Sequence, residues 1–179
     1  MAPQRNVMSG WMGKTTELGL LAKAVLAAAI AMVIAGVVWH GVSIENAIRI
    51  WRNLTGRPSG ALSFRFILQP SIAAAVAINE GLKDARLGRS PFFRAVLTEP
   101  LERVPRLREA LNATARILLI GVGIDLAYQL IEFERFYPIE SLLIAVALAF
   151  VPYCLIRGVV ARIMKSALSA TQRIKGHRQ

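Results

Sequence analysis

The sequence predicts an all-α protein: a polytopic transmembrane helical bundle of about four membrane spans, with short amphipathic helices on its surface. Hydrophobic residues make up 55% and charged residues 18% of its 179 residues, whereas soluble domains have about 45–50% and about 25%. The charges are also segregated from long apolar runs, as expected where lipid cannot solvate an ion. Several of these runs approach the roughly 20 residues that a helix needs to cross a bilayer.

Residues 18–39 form the first predicted span and carry one charge, Lys23, near their start. As a helix these 22 residues would extend about 33 Å, enough to cross the hydrocarbon core. The flexible side chain of Lys23 can reach the lipid headgroups at that end. Ala27, Ala31 and Ala35 recur at every fourth position, a spacing that lets helix backbones approach closely in lipid. This stripe is therefore expected to pack against another helix.

Residues 43–54 are predicted to form a short amphipathic helix at the membrane interface. Ile44, Ile48 and Trp51 fall on one side of such a helix, whereas Arg49 falls on another. A helix of this kind can lie flat in the interface. It can equally pack on the rim of the bundle, and the sequence leaves both arrangements open.

The second predicted span, residues 61–80, is the least apolar of the four. Its apolar core, residues 66–78, is too short to cross a bilayer alone. A crossing helix therefore needs Arg65 and Glu80 near its two ends, and Pro70 should kink it or begin a new helix. The alternative is a broken or re-entrant helix, which membranes tolerate only when it is buried in protein.

Residues 81–112 are predicted to be a basic cytoplasmic segment. The second helix is expected to extend beyond the membrane to Gly88, because glycine commonly ends a helix. Two short surface helices should follow, beginning near Pro91 and near Pro105, because proline favours the first turn of a helix. The second of these is expected to run directly into the third span.

The third and fourth predicted spans cover residues 113–133 and 139–156, with a short acidic turn between them. Their other ends are basic: eight Lys or Arg lie between positions 83 and 116, and a basic tail follows at 159–179. Because Lys and Arg concentrate on the cytoplasmic side, these flanks and a mobile N-terminal segment at 1–17 are predicted to be cytoplasmic. If the second segment did not cross, the N-terminus would instead lie outside.

Four residues are predicted to form an intramembrane polar cluster: Arg65, Gln69, Asp125 and Gln129. A charged residue deep in lipid costs about 2.5–3.5 kcal/mol on insertion scales, so Asp125 needs a partner. Span two starts on the side of the membrane where span three ends, so Arg65 and Gln69 lie near the depth of Asp125. Gln129 shares its helix face, one turn away. Such a cluster either fixes the register of the helices or relays a proton or ion.

A second candidate group is a cytoplasmic charge network of Glu80, Asp84, Arg86 and Arg89. Glu80 and Asp84 are one helical turn apart, so paired carboxylates could in principle hold a divalent cation. The basic residues between them favour a salt-bridge network with the arginines of residues 94–116 instead. The sequence therefore predicts no metal site and no cofactor.

Three short strings occur in the part of the chain that covers about residues 60–160. They are Phe64-Arg65-Phe66-Ile67-Leu68-Gln69-Pro70, Asp84-Ala85-Arg86-x-Gly88-Arg89-x-Pro91-Phe92-Phe93 and Pro152-Tyr153-x-Leu155-x-Arg157-Gly158. In these strings the chain resembles small multi-pass bacterial inner-membrane proteins of uncharacterised role. The resemblance implies a bacterial inner membrane and transfers no activity and no site residue.

No arrangement of nucleophile, base and acid suggests catalysis, so the chain is not predicted to be an enzyme. We expect a non-catalytic accessory or assembly subunit of a membrane protein complex. Its net charge of +11 points to anionic lipid headgroups at the cytoplasmic face rather than to nucleic acid. Other membrane subunits or a second copy are the expected protein partners. The alternative is a homo-oligomeric transporter or channel that uses the polar residues of spans two and three.

Overall fold

The computed structural model of the protein describes residues 17–56, 62–132 and 136–176. These residues are helical apart from short connections, and no strand occurs among them. In chain order the helices are α1 (Leu20–His40), α2 (Ile44–Gly56), α3 (Arg65–Arg86), α4 (Phe92–Thr98), α5 (Pro100–Glu132), α6 (Pro138–Ala145) and α7 (Val151–Gly176). A π-helical segment, Val146–Phe150, joins α6 to α7. The predicted N-terminal segment, except Glu17, and the middle of the predicted acidic turn lie outside the described residues.

Three helices are long and apolar enough to cross a membrane, judged by length and composition. They are α1, α5 and the joined helix α6–α7, in the ranges Leu20–His40, Pro100–Ile131 and Pro138–Ala170. The predicted all-helical membrane class is confirmed at this level. Helix α3 has 22 residues but is too polar to belong to this group, so the fourth crossing stays a prediction.

The long helices alternate in direction. Arg65 at the start of α3 pairs with Asp125 near the end of α5, so these two helices are antiparallel. Gly36 near the end of α1 packs against Ile139 at the start of α6, which makes that pair antiparallel too. Gln129 near the end of α5 bonds to Ser141 near the start of α6, so α6 runs back along α5. The four long helices therefore form an up-down-up-down bundle.

The bundle has two ends, named by the limits of α1. The His40 end carries the end of α1, the end of α5 and the start of α6. The Leu20 end carries the start of α1, the end of α3, the short α4 and the later turns of α7. Both ends of the described chain therefore lie toward the Leu20 end.

Helix α3 is unbroken from Arg65 to Arg86, with Pro70 in its second turn, so it is not the broken helix that the sequence left open. It begins at Arg65 rather than at residue 61, because residues 62–64 form a turn. Gly88 follows the helix with a φ of +65°, in the left-handed region where a side chain is disfavoured. The helix thus ends at the glycine that the sequence indicated.

One predicted helix start is wrong. Helix α5 begins at Pro100 and continues through Pro105, which is therefore not a helix start. Pro100 takes the first position, where a missing N–H breaks no hydrogen bond. The last helix continues to Gly176, beyond the predicted span that ends at Ile156. Arg157 lies within this helix, and its side chain pairs with the carboxylates of Asp84 and Glu109.

The π-helical segment has a cause in the sequence. The N–H of Val151 donates to the carbonyl of Val146, five residues earlier. Pro152 follows immediately, and in a regular α-helix its ring would collide with the carbonyl four residues before it. The widened turn lets the helix pass this proline without ending.

Helix α3 packs through one stripe of residues at helical spacing. Its buried residues are Arg65, Gln69, Ala73, Ala77, Gly81, Asp84 and Ala85. A Cβ added at Gly81 would lie 3.0 Å from the carbonyl oxygen of Arg157, so glycine permits the close contact of α3 with α7. The stripe is polar at both ends and small in the middle, a pattern that suits helix contacts in lipid.

The distribution of side chains is the reverse of that in a soluble domain. Large apolar side chains are exposed along the helices, as Ile34 (58%), Val38 (72%) and Leu155 (51%) illustrate. Charged side chains lie inside, where Arg157 and Asp125 are both 0% exposed. In water, charged residues are almost never fully buried and large apolar patches mark interfaces. Both features are expected where lipid surrounds the bundle.

Helix α1 is peripheral to the bundle. Only Ala22, Val25 and Gly36 are buried along it. Ala27 and Ala31 are exposed, so most of the predicted small-residue stripe faces away from the rest of the chain. Helix α1 meets α5 and α6 through a neighbouring face, so a contact of this stripe with a partner helix, the other arrangement that the small-residue spacing allows, stays a prediction.

Helix α2 contacts the start of α6 at the His40 end. Nη1 of Arg49 lies 3.1 Å from Oε1 of Glu140, and the Arg49 guanidinium stacks 4.2 Å from the Tyr137 ring centroid. Ile48 and Trp51 are exposed at 54% and 70%. The polar side of α2 therefore faces the bundle and its apolar side faces outward, and a position in the membrane interface stays a prediction.

Candidate functional site

Arg65 and Asp125 form a buried ion pair that joins α3 to α5, and their side chains are 1% and 0% exposed. The sequence predicted that Asp125 would meet Arg65 or Gln69, and the structure brings Arg65 to it. The guanidinium carbon of Arg65 also lies 5.5 Å from the ring centroids of Phe66 and Tyr128. Aromatic faces attract a cation, so they add to the stabilisation of this buried guanidinium.

Gln129 extends this pair by one helical turn of α5. Its Nε2 donates to Oδ2 of Asp125 at 2.8 Å and to Oγ of Ser141 at 2.9 Å. Its Oε1 accepts the backbone N–H of Tyr137 at 2.6 Å. These four side chains (Arg65, Asp125, Gln129 and Ser141) form the Asp125 cluster, which ties α3, α5 and α6 together.

Gln69 lies beside the Asp125 cluster but makes none of its hydrogen bonds. Its amide packs against Gly121 so closely that a Cβ there would collide with it. Both amide atoms, and Nη1 of Arg65, are buried without a hydrogen-bond partner. Leaving such a group unpaired costs about 1–3 kcal/mol. Gln69 is therefore held in place by the shape of the contact with Gly121.

Asp84 is the centre of a second buried cluster, toward the Leu20 end. Its carboxylate accepts Nη1 of Arg106 at 2.8 Å and Nε and Nη2 of Arg157 at 2.8 and 3.1 Å. The three side chains are 1%, 4% and 0% exposed in the order Asp84, Arg106 and Arg157. One carboxylate thus joins α3 to α5 and α7.

Glu109 adds a second carboxylate to these contacts. It accepts Nη2 of Arg157 at 2.9 Å, and Nη1 of Arg89 lies 3.4 Å from it. Nη1 of Arg157 donates to the hydroxyl of Tyr153 at 2.9 Å. The Asp84 network consists of Asp84, Arg89, Arg106, Glu109, Tyr153 and Arg157. Its three guanidinium groups face two carboxylates, which leaves one net positive charge.

The electrostatics of Asp84 follow from its neighbours. Burial alone would raise the pKa of this carboxyl, because it disfavours the charged form. The hydrogen bonds and charge of Arg157, and then those of Arg106, outweigh burial and hold the pKa of Asp84 below its usual value of 3.8. Asp84 is therefore ionised at neutral pH and pairs with two cations.

Two members of the predicted cytoplasmic charge network lie outside the Asp84 network. Glu80 is 21% exposed and pairs with Lys83 at 2.6 Å, and Arg86 is exposed. Asp84 lies on the face of α3 that Gly81 brings against α7, whereas Arg86, two residues on, points elsewhere on the helix. Glu80 lies one turn before Asp84, but its carboxylate bonds to Lys83 and not to the arginines around Asp84. The prediction that Glu80 and Arg86 share one network with Asp84 is therefore wrong.

A third buried carboxylate, Glu140, fastens α2 to the bundle. It is 1% exposed and accepts the Arg49 guanidinium at 3.1 Å. Nδ2 of Asn53 lies 3.1 and 3.2 Å from its two oxygens. The group lies at the His40 end, and Glu140 directly precedes Ser141 of the Asp125 cluster.

Small residues pack between the Asp125 cluster and the Asp84 network. The buried alanines of this layer are Ala73, Ala77, Ala110, Ala145 and Ala149. Thr114 is the only buried polar side chain at this level among the described residues, and its hydroxyl bonds to the carbonyl of Ala110 at 2.8 Å. The two clusters are therefore separate sites.

No group of three metal-ligating side chains occurs in the described part of the chain.

The sequence did not single out Glu109, Arg157 or Glu140. Arg157 directly follows an apolar run, where an arginine ordinarily reaches for the headgroups. Glu109 and Glu140 lie close to basic or polar surface segments and give no periodic signal. One signal was available for Glu109, since Arg106 precedes it by one helical turn.

Comparison of the chain with known protein families, characterised proteins and solved structures finds no match. The fold and the sites define a class: a small all-helical protein with three helices apolar enough to cross a membrane. Within that class the Asp125 cluster and the Asp84 network are the candidate functional groups.

Proposed function

We propose that the protein is a non-catalytic accessory or assembly subunit of a membrane protein complex in the bacterial inner membrane. The observation that carries this proposal is the pairing of its buried charges. Arg65 pairs with Asp125, and Asp84 pairs with Arg106 and Arg157, each time across two or more helices. An active site instead presents convergent polar groups that are free to meet a substrate. Groups committed to one another serve to hold helices together.

We infer four crossings, by α1, α3, α5 and α6–α7, with the Leu20 end and both termini in the cytoplasm. The basic residues that follow α3 and the basic tail support this orientation. Arg65 is level with Asp125, which lies seven residues, or about 10 Å, before the end of α5 at Glu132. In this arrangement α3 starts below the opposite membrane surface, and α2 lies in that interface with Trp51 toward lipid.

The exposed face of α1 is the proposed contact with another subunit. Ala27 and Ala31 lie on that face one turn apart, and small residues let a second helix approach closely. The partner is another membrane protein or a second copy of this chain. Anionic headgroups are the proposed lipid partners at the Leu20 end, and nucleic acid has no part in the proposal.

Purification of the full chain in a mild detergent tests the proposal. We expect a second membrane protein at fixed stoichiometry, lost when Ala27 and Ala31 are both changed to leucine. Ala75→Leu is the matched control, because Ala75 is an exposed alanine of α3. A chain that purifies alone, or loses its partner equally in the control, would contradict the proposed subunit.

A homo-oligomeric transporter or channel is the second candidate, favoured by one observation. Nη1 of Arg65 and the amide of Gln69 are buried without hydrogen-bond partners, so these atoms could bind an ion or a water molecule. Asp125→Asn distinguishes the two functions. A transporter would lose ion flux in vesicles and keep its stability, whereas a subunit held by this pair would lose stability.

A further inference from the structure

A cavity of about 720 Å³ lies between α1, α3 and α5. Carbon atoms form most of its wall, chiefly those of Leu20, Leu21, Leu68, Ile72, Ile117 and Ile120. Cavities of about 300–1,000 Å³ with an apolar wall are typical ligand sites in proteins. The function proposed above gives this cavity no role.

The length of the cavity matches one leaflet of a bilayer. Helix α5 lines it from Asn112 to Ile124, which at helical rise is about 18 Å. The hydrocarbon core of a bilayer is about 30 Å thick, so each leaflet contributes about half of that. An acyl chain that entered at one end would therefore fill the cavity along its length.

The start of α1 forms one end of this cavity. The side chain of Asn112 holds it there, since Oδ1 accepts the N–H of Gly19 at 2.8 Å and Nδ2 donates to the carbonyl of Glu17 at 2.9 Å. The N–H groups of the first turn of a helix, here from Leu20 onward, have no partner within the helix itself. The first turn contains no acidic residue either. The positive end of the helix dipole is thus left for an anion.

Arg116 lines the same end of the cavity, one turn along α5 from Asn112. Its side chain is exposed, and it makes no hydrogen bond or ion pair with any residue that the structure describes. A guanidinium and free helix N–H groups together match the oxygens of a phosphate. This end lies where the apolar part of α1 begins, the level at which lipid headgroups meet a membrane helix.

The opposite end of the cavity carries no exposed charge. Arg65 and Gln69 contribute to the wall there, but their unpartnered atoms are buried. Ile120 and Ile124 of α5 complete this end. The exposed charge of the cavity therefore lies at the Arg116 end, and a largely apolar wall leads away from it, the polarity of a lipid.

We propose that this cavity binds one anionic phospholipid. Its phosphate lies at Arg116 and the first turn of α1, and an acyl chain follows the wall toward Gln69. The positive charge at the Arg116 end of the cavity selects an anionic lipid over a zwitterionic one, because an uncompensated guanidinium and a helix N-terminus both favour net negative charge. The site is distinct from the exposed face of α1 that we propose for a protein partner.

Native mass spectrometry of the full chain in a neutral detergent tests the proposal, with phosphatidylglycerol as the probe. We expect one lipid to be retained, and Arg116→Ala to weaken its binding about tenfold, the effect of one charge-assisted hydrogen bond. Ile72→Trp, which fills the cavity from α3, should weaken binding independently of charge. Lys23→Ala is the control: Lys23 is exposed near the same end but does not line the cavity. This control should change affinity by less than about twofold, because a surface charge acts diffusely.

Circular dichroism of each variant shows whether the helices remain folded. Equal binding of phosphatidylcholine, or full competition by inorganic phosphate, would overturn the proposal of an anionic lipid. So would equal weakening in Lys23→Ala and Arg116→Ala, since that result would mean a diffuse charge effect. A cross-link from a cysteine at Ile120 to a second copy would assign the cavity to a protein contact instead. None of these outcomes depends on whether a partner subunit co-purifies.

Discussion

The Asp125 cluster and the Asp84 network each stabilise a buried aspartate with arginine, at two positions in the bundle. In the described part of the chain Asp125 pairs with the cation Arg65, and the neutral side chains of Gln129 and Ser141 complete the cluster. Asp84 meets Arg106 and Arg157, and a second carboxylate shares these cations. The first cluster lies level with the apolar stretches of α1 and α6, whereas the second lies where Arg89 reaches the surface.

The difference indicates how depth limits the number of charges. Desolvation of each ion costs several kcal/mol, so a cluster remote from water contains as few ions as possible. Near the end of the bundle, Glu109 is 18% and Arg89 35% exposed, and contact with water lowers that cost. A network of several ions is stable there, and no one of its contacts is indispensable.

The largest effect is expected from Asp125→Ala. This change leaves Arg65 buried without a carboxylate, and breaking a buried pair in this way costs about 3–5 kcal/mol. The free energy of unfolding in mixed detergent micelles measures it. The double variant Arg65→Met and Asp125→Leu removes both charges and should recover most of the loss. If the double variant is as unstable as Asp125→Ala, the pair is not the source of the effect.

A smaller loss, about 2–3 kcal/mol, is expected from Asp84→Asn. Arg157 and Arg106 keep Glu109 as a partner, and asparagine retains one acceptor oxygen. The same unfolding assay applies. A loss as large as that of Asp125→Ala would show that the network lacks the redundancy that its geometry suggests.

Acid should weaken the Asp84 network, by less than the substitution does. The pKa of Asp84 is lowered in the folded protein, so its contribution to stability is complete above the unfolded pKa of about 3.9. That contribution is lost as the pH falls through the lower, folded value. The native chain should therefore lose stability below about pH 4 more steeply than Asp84→Asn does. Parallel pH profiles for the two proteins would rule out this role for Asp84.

The smallest effects are expected at Glu80 and Arg86, which lie outside the Asp84 network. Glu80→Gln and Arg86→Gln should each change the free energy of unfolding by less than about 1 kcal/mol, because exposed ion pairs contribute little. A larger loss in either variant would return that residue to the network that the sequence predicted.

Helix positions could be predicted from the sequence because the length of each apolar run can be compared with the thickness of a bilayer. Three of the predicted spans correspond to the three apolar helices of the structure. The residues at which helices begin and end were harder to predict. Pro105 looks like a helix start, yet the helix begins five residues earlier at Pro100 and continues through Pro105.

Matching the depths of Arg65 and Asp125 along two antiparallel helices was enough to expect their contact. The Asp84 network was harder, because Arg157 is 73 residues away from Asp84 in sequence. Burial of Arg157 depends on the approach of α7 to Gly81, and this approach has no local signature. An inward arginine and one that reaches for lipid headgroups look alike in sequence.

The pairing of Arg65 with Asp125 also constrains how the chain is made. The two residues are 60 positions apart, so Arg65 leaves the ribosome well before its carboxylate exists. Helix α3 is too polar to partition into lipid unaided, and its cation is neutralised only when α5 arrives. In the proposed four-span arrangement, insertion of α3 must therefore follow or accompany that of α5. A chain truncated before Asp125 is expected to leave residues 65–86 outside the bilayer, which a cysteine-accessibility assay on nascent chains would detect.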